Sequence, residues 1–242
     1  MNAASASRAD LQAPAAAGQR ILVWDAPVRV FHWLTVLSFV GAYLTAESER
    51  WRLLHVTLGY TLAGLVVFRL AWGLLGTRHA RFASFVRGPA AALRYLKTLR
   101  QGRPEHHTGH NPAGALGIVA LLALALAVTL AGWASYADWG GEWPKDVHEA
   151  LANTLLALVV VHVAAVLLSS KLHHENLVAA MFSGRKLGTP QEAIARAWRG
   201  VAALMLAAVL GFWCLQWQAA PVMTAAAGAA AAEGRAHARD DD

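Results

Sequence analysis

Two histidines lie within one long apolar stretch, Val147 to Leu172, which reads VHEALANTLLALVVVHVAAVLLSSKL. His148 is near the beginning of this stretch and His162 is well inside it. In a helix, fourteen residues come to nearly four turns, so both imidazoles would project from about the same face, about 21 Å apart along the axis. An ionisable side chain inside a membrane helix is a functional hypothesis by default, and the alternative is a structural hydrogen bond to a neighbouring helix.

The composition indicates a protein that crosses a membrane several times. Of its 242 residues, 57% are hydrophobic and only 15% are charged. The apolar residues form long blocks, unlike the amphipathic spacing of a soluble helix. The net charge of +6 is explained better by basic loops on one side of a membrane than by nucleic-acid binding, so no nucleic acid is expected as a partner. The single cysteine, Cys214, excludes an internal disulfide and any multi-cysteine metal site.

Five apolar blocks predict an all-α fold, a transmembrane helix bundle with a four-helix core and a fifth, C-terminal transmembrane helix. The membrane domain covers 21–187, and its four spans lie at about 30–46, 53–75, 113–135 and 147–172. An extension over 188–220 contains the fifth span, at about 201–219. A short amphipathic helix on the membrane surface is predicted at about 90–99. Disordered tails are predicted over 1–20 and 221–242.

The distribution of lysine and arginine predicts the orientation in the membrane. Most basic residues fall in the N-terminal tail and in two connecting segments, 69–103 and 171–199. By the positive-inside rule these segments and the N-terminus are cytoplasmic. The second and fourth spans therefore begin on the opposite, outer side.

With this orientation, four histidines form two pairs of matching depth. His32, in the first turn of the first span, and His162 lie toward the cytoplasm, whereas His55 and His148 lie near the periplasmic surface. Two imidazoles facing each other across a helix bundle are suited to the axial positions of a b-type haem. The sequence therefore predicts two haem b groups, a cytoplasmic-side haem held by His32 and His162 and a periplasmic-side haem held by His55 and His148. No CxxCH motif for covalent attachment occurs.

Two features of the surroundings follow from this ligation. The second nitrogen of each imidazole needs a hydrogen-bond acceptor, and a backbone carbonyl one turn earlier is the expected partner. Arg29 and Arg69 at the cytoplasmic ends of the spans, and Arg52 at the periplasmic end, are candidate partners for the haem propionates. The alternative is that these arginines extend toward the lipid headgroups. Because two histidine ligands leave no open position on the iron, electron transfer is favoured over oxygen activation.

Several segments together resemble the bacterial cytochrome b561 family, and in particular the branch that contains the cytochrome b subunits of nickel–iron hydrogenases. They are WDAPVRVFHW, HVTLGYTLAGLVVFRLAWGLLG, RHARFASF, HNPAGA, VHEALANTLLALVVVHVAAVLLSS and HHENLVAAMFSGRK, and they cover about 21–186. The resemblance implies a di-haem four-helix bundle that passes electrons between the quinone pool and a partner. The ligands in this family come from the first, second and fourth helices, which matches His32, His55, His148 and His162. The extension at 196–220 departs from the family pattern.

The predicted function is electron transfer in a respiratory chain. The predicted partners are membrane lipid, a quinone or quinol, and a periplasmic c-type cytochrome or hydrogenase, and a homodimer is left open. His173 and His174, which follow Lys171 at the cytoplasmic rim, are candidates for the quinone site. No catalytic residue is assigned, so whether the chain is an enzyme in its own right is also left open.

Two other functions remain as alternatives. One is a superoxide:quinone oxidoreductase on the same di-haem scaffold, an activity known in the wider family. The other belongs to a different class, a proton or ion transporter that uses the membrane histidines as a relay. The transporter would be colourless, whereas either cytochrome would show the absorption of haem.

Overall fold

The computed structural model describes residues 19–102, 105 and 107–240, with the side chains described as far as residue 219. Eight α-helices and two β-strands occur within this part of the chain. In chain order they are β1 (Gln19–Leu22), α1 (Ala26–Thr45), α2 (Arg52–Leu75), α3 (Phe82–Phe85), α4 (Pro89–Arg100), α5 (Pro112–Tyr136), α6 (Trp143–Leu172), α7 (Leu177–Ser183), β2 (Arg185–Gly188) and α8 (Arg199–Asp240).

Five of the described helices are long and apolar enough to cross a membrane, which confirms the all-α transmembrane fold class. They are α1, α2 with the short 3₁₀ turn before it, α5, α6 and the first 21 residues of α8. The helices α1 and α6 begin four residues earlier than the sequence predicts. The cause is a proline in the first turn of each, Pro27 and Pro144, because proline has no N–H group and the first-turn N–H groups lack helical acceptors.

The chain divides into two compact units, which are described separately. The unit here called the sheet unit comprises, among the described residues, 19–25, 72–119 and 158–197. The other, called the helical unit, comprises 26–71, 120–157 and 198–240.

The sheet unit contains a small antiparallel sheet that the sequence does not predict. Strand β1 pairs with β2 over four residues, from Gln19 opposite Gly188 to Leu22 opposite Arg185. Ile21, Val23 and Trp24 form a small apolar core with Ala180 of α7. Two residues of the predicted disordered N-terminal tail, Gln19 and Arg20, therefore belong to a strand, while residues 1–18 lie outside the described part of the chain.

One buried carboxylate, Asp25, holds together three segments of the sheet unit. Asp25 is 1% exposed and accepts hydrogen bonds from Trp72 Nε1, at 3.1 Å, and from Thr77 Oγ1, at 2.6 Å. These bonds connect the residue just before α1 to the end of α2 and the loop after it. A buried carboxylate requires such donors, because burial without them costs several kcal/mol.

The loop after β2 is organised by a second carboxylate, Glu192. It accepts hydrogen bonds from Thr108 Oγ1, at 2.7 Å, and from the backbone N–H and hydroxyl of Thr189, at 3.0 and 2.9 Å. These donors stabilise the charged form and lower the pKa of Glu192 to about 2. The bond from Thr108 fastens this loop to the segment just before α5.

The helical unit has an apolar core to which the fifth span contributes. Phe31 and Leu34 of α1 pack with Leu65 of α2 and Met205 of α8. Trp213 of α8 also donates a hydrogen bond from Nε1 to Thr61 Oγ1 of α2, at 2.8 Å. The fifth span is therefore packed against the first two helices by both apolar and polar contacts.

Helix α4 agrees with the predicted amphipathic helix and extends it by one residue at each end. Its buried side consists of Ala92 and Tyr95, and Leu93 is 68% exposed. Helix α8 continues to Asp240 and so includes most of the tail for which the sequence predicts disorder. The physical reason is the run of alanines, since alanine has the highest helix propensity and extends a helix already begun.

Replacing Asp25 by alanine removes the acceptor from the Trp72 indole and the Thr77 hydroxyl. We expect the free energy of unfolding to fall by about 1–3 kcal/mol, the cost of leaving buried donors unsatisfied. The measurement is the thermal denaturation midpoint of the detergent-purified protein, with Glu47→Ala, an exposed carboxylate, as the control. Equal midpoints for the two variants would show that Asp25 does not stabilise this junction.

Candidate haem sites

Two of the four predicted ligands face each other within the helical unit. His55 is in the first turn of α2 and His148 is in the second turn of α6, and both are half-buried. Their ring centroids are 6.1 Å apart and the ring planes are nearly perpendicular, at 84°. The structure thus brings together the periplasmic-side pair that the sequence predicts from depth alone.

The protonation of both rings follows from their hydrogen bonds. His55 Nδ1 lies 2.8 Å from the carbonyl oxygen of Ala42 on α1, and His148 Nδ1 lies 2.9 Å from that of Val128 on α5. A carbonyl oxygen only accepts, so each Nδ1 carries a proton, and in the neutral imidazole each Nε2 then has the lone pair. The predicted partner, a carbonyl one turn earlier, is wrong for both residues, because the carbonyls come from neighbouring helices.

A glycine allows His148 to reach its carbonyl. A side chain at Gly132, one turn after Val128 on α5, would place its Cβ 2.8 Å from Cε1 and 2.9 Å from Nδ1 of His148. Contacts this short do not occur at a real Cβ. The imidazole therefore lies directly against the backbone of α5, in space that any larger residue would fill.

The pair fits a bis-histidine haem in both chemistry and separation. A metal–imidazole bond of about 2 Å on each side, with roughly 1 Å from each nitrogen to its ring centre, gives centroids about 6 Å apart. The observed 6.1 Å agrees with this value. Each ring also has a hydrogen-bonded Nδ1, the outer-shell partner that ligating histidines normally have.

The other two predicted ligands lie in different units, His32 in the helical unit and His162 in the sheet unit. His32 is half-buried and is the seventh residue of α1, one turn further into the helix than the sequence predicts, since α1 begins at Ala26. Its ring is edge-on to that of Trp33, with the centroids 5.0 Å apart. His162 is half-buried on α6, the helix that also carries His148. The pairing of His32 with His162 remains a prediction.

The three candidate arginines differ in their surroundings. Arg69 is 3% exposed and Arg29 is half-buried, so both hold positive charge away from water. Arg52 is exposed and forms a surface ion pair with Glu49, at 3.6 Å. Buried arginines interact more strongly with an anionic group than exposed ones, because water screens them less.

The candidate quinone residues follow α6 in the sheet unit. His174 is exposed and has a backbone φ of 49°. His173 is half-buried, and its Nε2 lies 3.3 Å from the hydroxyl of Tyr95 on α4. Sequence reasoning missed Tyr95, although an aromatic residue on the buried side of an amphipathic helix was a signal that could have identified it.

The sequence model of prokaryotic cytochrome b561 matches residues 23–184. The chain belongs to this family. It is therefore a b-type cytochrome of membrane electron transfer, and its five apolar helices make it a multi-pass membrane protein.

Curated relatives of this cytochrome b561 carry a common name. The chain is 24% identical over 221 residues to a probable Ni/Fe-hydrogenase B-type cytochrome subunit of Rhizobium leguminosarum bv. viciae. The alignment covers 72% of this chain and 92% of the relative. Likewise, it is 26% identical to the subunit of Azotobacter vinelandii (69% and 88% covered). Similarity to the probable Ni/Fe-hydrogenase 1 B-type cytochrome subunit of Escherichia coli K12 is 24% (67% and 88% covered). No solved structure gives a match.

Replacing Gly132 by alanine should displace His148 in this cytochrome b561. The added methyl group would come within 3 Å of the imidazole, which must then lose its bond to the Val128 carbonyl or move away from His55. Since the sequence predicts two haems, one of them held by His148, we expect the haem content per polypeptide to fall by roughly half, measured as the pyridine haemochromogen of the purified protein. The control is Gly211→Ala, an exposed glycine of α8 with open space at its Cβ. Full haem content in Gly132→Ala would contradict the role assigned to this contact.

Proposed function

We propose that this cytochrome b561 carries two haem b groups and transfers electrons between the quinone pool and a periplasmic hydrogenase. The protein would lie in the bacterial inner membrane with its N-terminus in the cytoplasm. Haem iron held by two imidazoles supplies one-electron redox chemistry. The residues of the chain bind the haems, orient their own imidazoles and set the distance over which electrons move.

The geometry of His55 and His148 carries the proposal. Both rings have their proton on Nδ1, bonded to a carbonyl of a neighbouring helix, and both retain the lone pair on Nε2. A proton-relay pair would instead be expected to exchange a proton through a direct hydrogen bond or water. With centroids 6.1 Å apart, His55 and His148 are the residues that would hold the periplasmic-side haem.

The second haem is proposed from the position of His162. It follows His148 by fourteen residues on α6, which is about 21 Å along a continuous helix and most of the way across a hydrocarbon core of about 30 Å. His32, near the cytoplasmic end of α1, is its proposed partner at the same depth. Charges on Arg69 and Arg29 would neutralise the propionates of this haem, and Arg52 would do so at the periplasmic haem.

The names of the relatives favour hydrogenase as the periplasmic partner over a c-type cytochrome. Each of the three relatives described above is a probable Ni/Fe-hydrogenase cytochrome subunit, and the alignments cover 88–92% of their lengths. The quinone is proposed to react at the cytoplasmic rim, near His173 and His174. Under this proposal, electrons enter and leave the protein at opposite ends of α6.

Haem content tests the ligand assignment. The detergent-purified protein should contain two b-type haems per polypeptide, and His162→Ala should contain about one, because the cytoplasmic-side site loses an axial ligand. The control is His237→Ala, a histidine of the C-terminal segment that is not proposed as a ligand. A colourless wild-type protein from haem-replete cells would rule out the cytochrome proposal and favour the histidine relay.

Electron-transfer kinetics test whether electrons pass from the hydrogenase through the haems to the quinone. In proteoliposomes with the cognate hydrogenase bound outside, hydrogen should reduce the haems within seconds, and decyl-ubiquinone should then reoxidise them. Since the periplasmic haem would receive the electrons, His55→Ala should slow reduction by hydrogen at least tenfold. Reduction that requires superoxide, with no response to hydrogenase, would instead support the superoxide oxidoreductase.

A further inference from the structure

Helix α4, which belongs to the sheet unit, has two unlike sides. Its inner side is buried, since Ala92 and Tyr95 are each 4% exposed and the Tyr95 hydroxyl lies 3.3 Å from Nε2 of His173. Leu93 and Leu96, by contrast, are 68% and 48% exposed. These two leucines are therefore not part of the core of the unit, and their apolar surface is open to a partner.

The exposed leucines share their side of the helix with basic residues. Leu96, Lys97 and Arg100 follow Leu93 by three, four and seven residues, which is the spacing that places side chains on one side of a helix. Arg94 lies three residues before Lys97 and so next to it on the helix surface. The three basic residues are all exposed. These five residues form the surface here called the leucine–basic side of α4.

The charges on the leucine–basic side lack carboxylate partners. In the part of the chain that the structure describes, no ion pair involves Arg94, Lys97 or Arg100. The segment 76–111, which contains α4, has seven lysines and arginines and a single acidic residue, Glu105. An anionic partner would therefore be attracted by this segment and would displace no internal ion pair.

A basic residue that serves the fold looks different in the same unit. Lys186 is buried, its Nζ lies 3.5 Å from a carboxylate oxygen of Glu175, and it donates a hydrogen bond to the backbone carbonyl of His107 at 3.1 Å. Its charge is used inside the protein. The basic residues of α4 have no such role, which leaves their charges for a partner outside the chain.

The partner that fits both features is a phospholipid with a net negative charge. A surface helix with leucines and basic residues buries the leucines at the boundary between headgroups and acyl chains, while its basic side chains bind the phosphates. A bilayer is close at hand, because only residues 76–88 separate α4 from the end of α2, one of the five helices that are long and apolar enough to cross it. A nucleic acid or an acidic protein surface would neutralise the charges but would leave the leucines without apolar contacts.

We propose that the leucine–basic side of α4 is a binding surface for anionic phospholipid. Leu93 and Leu96 lie among the upper parts of the acyl chains, and Arg94, Lys97 and Arg100 bind the headgroup phosphates. The proposal is independent of the haem ligands, the quinone site and the redox partner, since it requires only that the chain crosses a bilayer.

The test compares two lipids at one position of α4 in the full-length, haem-loaded protein. Because the chain has a single cysteine, Cys214→Ser gives a background in which Leu96→Cys can carry a nitrobenzoxadiazole fluorophore. The protein is placed in phosphatidylcholine nanodiscs that contain increasing fractions of spin-labelled phosphatidylglycerol or of spin-labelled phosphatidylcholine. We expect phosphatidylglycerol to quench the fluorophore about tenfold more strongly at low salt, and the preference to shrink at high salt because the charges are screened.

Neutralising the basic residues tests their part in this preference. The combined change Arg94→Gln, Lys97→Gln and Arg100→Gln should bring the ratio of quenching by the two lipids close to one, and Arg94→Gln alone should lower it about two- to fivefold. Glutamine has nearly the helix propensity of arginine and lysine, so α4 should be retained. The matched control is Arg50→Gln with Lys145→Gln, two exposed basic residues of the helical unit, which should leave the ratio unchanged.

Three results would overturn the proposal. Equal quenching by the two lipids before any charge is removed would show that α4 does not prefer anionic lipid. Quenching by neither lipid would show that this side of α4 faces away from the bilayer and would favour a protein or nucleic-acid partner. A preference that survives the triple substitution at normal haem content would assign the anionic lipid to other residues. If the triple variant does not accumulate with haem, an unchanged ratio in Arg94→Gln alone decides against the proposal.

Discussion

When an imidazole binds a metal through one nitrogen, its other nitrogen carries a proton, and an acceptor for that proton fixes the orientation of the ring. In a membrane interior, where water does not supply that acceptor, the protein must provide it. Here the carbonyls of Ala42 and Val128 do so for His55 and His148. Because residues 42 and 128 belong to α1 and α5, the two rings are oriented only when α2 lies against α1 and α6 lies against α5. The orientation of each ring thus depends on the packing of two helices, and that of the pair on the packing of four.

Carbonyls inside a helix already accept a bond from the N–H group four residues later, and they take a second donor through their remaining lone pair. The approach must be close, which explains the glycine at position 132 on α5. The absence of a side chain at Gly132 leaves the space that the imidazole of His148 occupies. The fifth span supports the same arrangement from the other side, through Trp213 and Met205 against α2 and α1.

The fold class and the histidine pair were predictable because hydropathy and charge bias report depth in a membrane. They report nothing about the register between neighbouring helices, so the carbonyl partners of His55 and His148 could not be predicted correctly. The sheet formed by β1 and β2 could not be predicted, for a different reason. QRIL and RKLG are four-residue strands with no extended alternation of apolar and polar residues, and they come from distant parts of the chain. The early starts of α1 and α6 could have been predicted from the positions of Pro27 and Pro144. The position of Tyr95 on the buried side of α4 was a signal in the sequence, but its contact with His173 depends on where α4 lies in three dimensions.

The pairing of β1 with β2 has a consequence for where this protein can be divided. The family match ends at residue 184, and β2 begins at the next residue. A fragment ending at the family boundary would lose the partner strand of β1, the lysine that binds the His107 carbonyl, and the tryptophan that bonds to Thr61. The part of the chain that matches the family is therefore shorter than the part that supplies these contacts. Any transplant of this electron-transfer module into another membrane protein would have to include the chain at least as far as Trp213.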